Sequence, residues 1–318
     1  MTPPTSLRSL RIATLRIRAR ARDALRLPRF AGSTLRGAFG HALFDTACAT
    51  GTRDCAPCAL RERCAVPYVF ETPIEADDAR LPGVPFAPHP FAFDVAFGGS
   101  RLRAGAPFSF GLTLFGRATE YVPTFAAALA RTGERGLTGD RSAFDVVGID
   151  GLTEAGWAEL ASGDPLVLDR HATRAAIKRM DAPAASGSRL RVTLRTPLRL
   201  AADGRLARLE SFHELMRACA RRAKALLAFH EGIDVSFDAA LDAARSVRTV
   251  VHNLRRVHAQ RWSQRQGRRM QLDGWLGRVE FEGDFGACGD LLAFASNAGV
   301  GKSTAFGFGR LALRWESA

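Results

Sequence analysis

The stretch Gly299-Val-Gly-Lys-Ser-Thr-Ala-Phe-Gly-Phe-Gly-Arg-Leu-Ala-Leu313 sets four glycines around Lys302, Ser303 and Thr304, then runs into an apolar alternation. Glycine lets a backbone approach a ligand closely, and clustered N–H groups beside a lysine suit a phosphate. Gly299, Gly301, Lys302, Ser303 and Thr304 are therefore candidate phosphate contacts. The nucleotide-binding pattern G-x-x-x-x-G-K-[ST] needs glycine at position 296, where this chain has Ser296. It also needs a strand before the loop and a helix after it. Here a helix-like stretch over 286–296 comes first, and Phe306, Phe308, Leu311 and Leu313 follow. A second glycine turn, Gly133–Gly139, likewise separates a helical segment (118–131) from an apolar run (144–149). Two such turns at equivalent places, each before a fourth strand, argue that one plan is used twice.

Working outward, Leu15-Arg16-Ile17-Arg18-Ala19-Arg20-Ala21-Arg22 alternates strictly. That period puts Leu15, Ile17, Ala19 and Ala21 on one strand face and four arginines on the other. Ser33 can cap a helix running to about Ala47, with Leu35, Phe39, Ala42 and Thr46 as its buried stripe. Strands are expected over 90–97, 107–115 and 144–149, giving β-α-(insert)-β-β-α-β over 1–150. Residues 151–187 read as a linker. From 188 the pattern recurs: a strand over 190–200, a helix over 209–229, a helical arginine-rich insert over 237–269, a strand over 275–281, and the glycine loop 299–309 before the last strand. The fold class is α+β, with two ferredoxin-like (RRM-like) βαββαβ domains in tandem. The first carries a cysteine-rich insert, 48–73, and the second the basic insert.

Composition narrows the partners. The 318 residues are 47% hydrophobic and carry a formal net charge of +13. No apolar run is long enough to span a bilayer, and no basic amphipathic terminal helix suits a membrane surface. A chain this basic favours nucleic acid. Arg248, Arg255, Arg256, Arg261, Arg265 and Arg268 cluster in the second insert around Trp262, which can stack on a base or simply pack. Arg217, Arg221 and Lys224 form a second basic face, at i, i+4 and i+7 of the long helix.

The cysteines read Cys48-x6-Cys55-x2-Cys58-x5-Cys64. Four thiols at this spacing without a signal peptide point to a reducing, cytoplasmic compartment and a metal site. Structural zinc leads; an iron–sulfur cluster and a vestigial site remain open. Cys219 and Cys288 read as structural.

Seven elements in order resemble the CRISPR-associated RAMP endoribonucleases that process precursor CRISPR repeat RNA. They are Phe30-Ala-Gly-Ser-Thr-Leu-Arg-Gly-Ala-Phe-Gly40; the cysteines followed by Tyr68-Val-Phe-Glu71; Leu114-Phe-Gly116 with Tyr121; Gly133-x-x-Gly136; Thr196-Pro-Leu-Arg199; Ser263-x-Arg265-Gln266; and the glycine loop. The resemblance implies two RRM-like domains, a basic cleft, a repeat hairpin as substrate and other CRISPR effector subunits as partners. It implies metal-independent attack of a ribose 2′-OH on the adjacent phosphorus, leaving a 2′,3′-cyclic phosphate and a 5′-OH, with the mature crRNA retained.

Such chemistry needs a base, an acid and cations on the phosphorane. His41 is the first candidate. It lies about 130° from the buried stripe of its helix, and the resemblance places a catalytic histidine on or after this helix. Arg36, Arg20 and Arg22 are the nearest cations in sequence. No cofactor is expected for catalysis. Clustered carboxylates at ligand spacing, which a metal-dependent nuclease needs, are missing. The alternative is a non-catalytic RAMP subunit that binds crRNA without cutting it, and a functional acid/base discriminates the two.

Overall fold

The computed structural model describes residues 7–72, 74, 87–163, 165–180, 187–202, 204–263 and 267–316. It divides into two compact units: Leu10–Arg179 with Ala228–Gly232, and Met1–Ser9 with Met180–Leu227 and Ile233–Ala318.

In the first unit, β1 (Arg11–Ala21) and the short β2 (Leu25–Leu27) lead into α1 (Ala31–Ala47). After the cysteine segment come β3 (Phe91–Asp94), β4 (Ser100–Leu102) and β5 (Pro107–Phe115). A 3₁₀ turn over Gly116–Tyr121 feeds α2 (Val122–Arg135), and β6 is Phe144–Thr153. The strand order β3-β5-β1-β6, all antiparallel, is that of a ferredoxin-like sheet. Register puts Ile17 beside Phe110 and Ile149, and Leu15 beside Leu112, on one face. That face meets α1 through Phe93, which packs edge-on against Phe39 with centroids 5.7 Å apart. Phe39 also stacks on Phe125 of α2. Each such fully buried side chain contributes about 1.5–3 kcal/mol of burial energy.

The helix begins three residues earlier than the Ser33 cap predicts, with Phe30 at the N-cap position. The expected linker 151–187 is a correction. β6 runs on to Thr153 and turns into β7 (Gly156–Ser162), then β8 (Val167–Leu168), α3 (Arg170–Ala175) and β9 (Ile177–Arg179). β7 and β8 extend the sheet beyond β6, while β9 pairs with β1. The alanines and glutamates there favour helix, but Gly156 at φ +113° turns a hairpin.

The second unit has β10 (Arg189–Leu198), the small β11 (Leu200–Ala202) and β12 (Arg205–Ala207) pair, and α4 (Phe212–His230). Then follow α5 (Asp238–Ala244), β13 (Arg248–Val257), β14 (Gln260–Ser263), β15 (Arg268–Gln271) and β16 (Gly274–Glu282). α6 (Gly289–Ala298) and β17 (Leu311–Glu316) complete it. The order β13-β16-β10-β17 repeats the first unit's topology. The arginine-rich insert is thus not helical beyond α5. β13 is the second strand of the repeat, and β14 and β15 form a two-stranded extension. Thr249, Val250 and Val251 favour extended backbone, and β13 is an edge strand whose half-buried residues blur the alternation.

Candidate active site and nucleic-acid interface

The rotation of α1 is fixed by Phe39 in the core, and this decides what the helix presents elsewhere. Arg36 turns its guanidinium over the Phe70 ring, 4.8 Å from the centroid, and reaches Nε2 of His89 at 2.9 Å. A guanidinium only donates, so that nitrogen of His89 accepts. Gly40 backs onto Phe70: a Cβ there would lie 3.0 Å from the ring. At Gly37 a Cβ would meet nothing within 4 Å. His41, half-buried, leaves the helix about 140° from Arg36. His89, two residues before β3, joins this group.

Arg20 and Arg22 do not. They share the opposite sheet face with Arg16 and Arg18, away from α1. There Asp150, on β6, accepts from Arg16 at 2.9 Å and lies 3.1 Å from the Arg18 guanidinium as an ion pair. Arg22 pairs with Asp145, while Arg20 is exposed. The alternation of β1 that predicted a basic face thereby separates these arginines from His41.

A polar network closes the other end of this unit. Tyr68 and Tyr121, the only tyrosines in the chain, meet with ring centroids 5.9 Å apart. Arg117 lies over both rings and donates to the Tyr121 hydroxyl at 2.8 Å. Burial pushes the Tyr68 phenol well above its ordinary range. Its hydroxyl reaches His230 Nδ1 at 3.0 Å. Gly116, at φ +57°, lies against His230 so closely that a Cβ would come within 2.6 Å of the His230 Cβ. Sequence reading missed this pairing because residues 68 and 230 are far apart in the chain; the signal available was the scarcity of tyrosine.

In the second unit the glycine loop is built on Thr196-Pro-Leu-Arg199. Gly309 N donates to Pro197 O at 3.0 Å, Lys302 N to Arg199 O at 2.8 Å, and Arg310 N to the Thr196 hydroxyl at 2.9 Å. Two of the quoted elements are therefore one structure. A Cβ on Gly301 would lie 2.4 Å from Arg199 O, and one on Gly309 1.8 Å from Val300 O, so neither position accepts a side chain. Ser303 is left-handed, Thr304 buried and Lys302 exposed.

The basic residues surround this loop unevenly. Arg261 on β14 lies 4.8 Å over Phe306, and Trp262 is on the same strand. Arg255 and Arg268 are exposed, whereas Arg248 pairs with Glu282 and Arg256 with Asp273. Arg217 and Arg221 are exposed on α4; Lys224 pairs with Asp234 at 3.2 Å. Arg265 lies outside the described residues. Across the sheet, Glu280 is buried and bonded by Arg189 and Arg191 at 2.6 and 2.9 Å, which holds its carboxyl below the usual range.

All four clustered cysteines line one small pocket, with Val66 and Pro67. Burial, with Glu71 and then the Cys64 and Cys48 sulfurs nearby, pushes the Cys55 thiol up to about 11. Among the described residues, no three His, Cys, Asp or Glu side chains converge on one point as they stand. Nor, among those residues, is any helix long and apolar enough to cross a membrane.

A pair of ferredoxin-like sheets, the second closed by a glycine loop, defines a tandem α+β fold. Residues 192–311 match the family model of the CRISPR-associated endoribonuclease Cas6, and residues 10–173 match a model for an N-terminal domain. The Cas6 endoribonuclease model thus covers the C-terminal part of the chain, from β10 to the start of β17. Among solved structures it is similar to Thermus thermophilus Cas6, with TM-score 0.54 and 15% identity over 96% of this chain and 99% of that one. A Cas6 product complex superposes equally, with TM-score 0.55 and 15% identity over 96% and 99%. A partial Cas6-RT-Cas1–Cas2 complex matches with TM-score 0.58 and 11% identity over 99% of this chain and 47% of that chain. At these identities the likeness is one of fold. No curated protein matches the sequence.

Proposed function

We propose that this chain binds a CRISPR repeat RNA and cuts it once by attack of a ribose 2′-OH on the adjacent phosphorus. The match of residues 192–311 to the Cas6 endoribonuclease family carries the reading. His41 takes the proton of the 2′-OH as general base. The oxygen attacks phosphorus, the bond to the 5′-oxygen breaks, and that oxygen is protonated as it leaves. The products are a 2′,3′-cyclic phosphate and a 5′-OH, and the reaction needs no metal ion. Gly37 supports the assignment, because a helix position with no side chain and open space around it, one turn before His41, admits an RNA backbone. Arg36, oriented by Phe70 and His89, adds fixed positive charge to the same helix. Arg20, on the far sheet face, is assigned to phosphate contact outside the reacting centre.

The glycine loop, with Lys302 and the exposed Arg217, Arg221, Arg255 and Arg268, holds the repeat and retains the mature crRNA for other CRISPR subunits. Cleavage of a labelled repeat RNA in excess EDTA, beside a copy with a 2′-deoxy ribose at the cut, tests the chemistry. A single cut abolished by the deoxy substitution and by His41→Ala is expected. A cut that survives the deoxy substitution overturns 2′-OH attack. Tight binding with no cut transfers the chain to the non-catalytic crRNA-binding class, which the family match does not favour.

A further inference from the structure

The segment between α1 and Pro67 contains no regular strand or long helix, yet it holds four cysteines in a specific arrangement. Cys58 N donates to Cys55 O at 3.4 Å, closing a turn across the C-x2-C pair. Arg61 N donates to Cys58 O and Cys64 N to Leu60 O, so a further turn returns the chain to the same cavity. Cys64 Sγ lies 4.0 Å from the carbonyl of Ala47, the residue before Cys48. Cys48 Sγ lies 3.7 Å from the Thr50 hydroxyl. None of the four is in a disulfide. Paired cysteines on a C-x2-C turn, with two more closing a tetrahedron, are how structural zinc is held.

We propose that Cys48, Cys55, Cys58 and Cys64 together bind one zinc ion as a four-thiolate structural site. Zinc–sulfur bonds of about 2.3 Å require the sulfurs to draw inward from their present positions, so loading is coupled to ordering of the segment. The consequence reaches the candidate active site. Two residues separate Cys64 from the π-helical turn Pro67–Glu71, whose Tyr68 and Phe70 hold His230 and Arg36. A zinc ion clamps that turn to the C-terminal end of α1, the helix that carries His41. The site is thus a positioning device rather than a participant in RNA cleavage. The last step rests on the proposed role of α1; the binding of zinc does not.

The test uses the purified full chain, kept reduced. Elemental analysis should give one zinc per chain, and exchange for cobalt(II) should produce the visible absorption of a tetrahedral thiolate site. Cys58→Ser should weaken and shift that absorption. If this variant fails to fold, displacement of zinc from the wild-type chain by a thiol-blocking reagent, followed by chelator colour, reads the same site. A reduced chain that retains no zinc and gives no cobalt absorption overturns the proposal. So does an iron and sulfide content with its own visible chromophore. Neither readout involves RNA, so failure here leaves the proposed cleavage standing, and loss of cleavage alone leaves the zinc site standing.

Discussion

His230 holds Tyr68 from a position that only one tautomer allows. Its Nε2 lies 2.7 Å from the carbonyl of Pro88, which can only accept, so the ring proton sits on Nε2. Nδ1 is therefore the acceptor, and the Tyr68 hydroxyl donates to it at 3.0 Å. Burial keeps that phenol protonated, hence always a donor.

Tyr68→Phe removes the donor and leaves a buried imidazole nitrogen without it. The expected cost is about 1–3 kcal/mol, read as a lower urea midpoint with an unchanged slope. A variant as stable as wild type would show that the network contributes nothing.

Glu280 supplies a pH-dependent test in the second unit. Its native carboxyl titrates below its ordinary value, chiefly through the Arg189 bond and then Arg191. Such a group stabilises fully above the unfolded pKa of about 4.3 and loses its contribution as pH falls through the lower native value. Glu280→Gln should cost about 1–3 kcal/mol at neutral pH. The gap from wild type should close as the pH is lowered below 4.3 or so. Chemical denaturation at several pH values measures it, and a constant gap would refute the ion-pair account.

The two classes of glycine should part company. Gly309→Ala places a Cβ 1.8 Å from Val300 O at φ +70°, and the variant should lose stability severely or fail to accumulate folded. Gly37→Ala meets nothing and sits inside α1, so it should stabilise the fold by about 0.5–1 kcal/mol. If that surface receives RNA backbone, the same variant should cleave more slowly. Thermal melts and single-turnover rates on one preparation separate the two effects.

Exposed arginines should differ from paired ones in salt dependence. Arg255→Ala, from an exposed position, should reduce the slope of log affinity against log salt by about 0.7–0.9. Arg248→Ala should change it less, because Glu282 already holds that guanidinium at 3.0 Å. Equal slopes for both variants would count against the assignment of Arg255.

Much of the frame was legible because the first strand alternates cleanly and each glycine turn precedes a last strand. β5 begins and ends where its Phe108/Phe110/Leu112/Leu114 alternation does. What escaped was structure fixed by distant partners. β13 takes its extended form from β16, and its exposed face carries arginines that also suit a helix. The 151–162 hairpin was hidden by alanines and glutamates whose intrinsic preference is helical. At the candidate site, α1 and the glycine loop announced themselves. The pairing of Arg36 with His89, and the sheet that divides His41 from Arg20, followed only from helix rotation and strand register.

The short segment Ala228–Gly232 belongs with Leu10–Arg179, although synthesis delivers it only after another stretch of the second unit. During translation, β1 to β9 can pair as soon as they emerge, but the place beside Tyr68 and Gly116 stays unfilled until His230 arrives. The order of emergence from the ribosome therefore makes completion of the first unit wait on α4. Pulse proteolysis of chains arrested before and after position 232 would show protection of the Tyr68 segment arriving late.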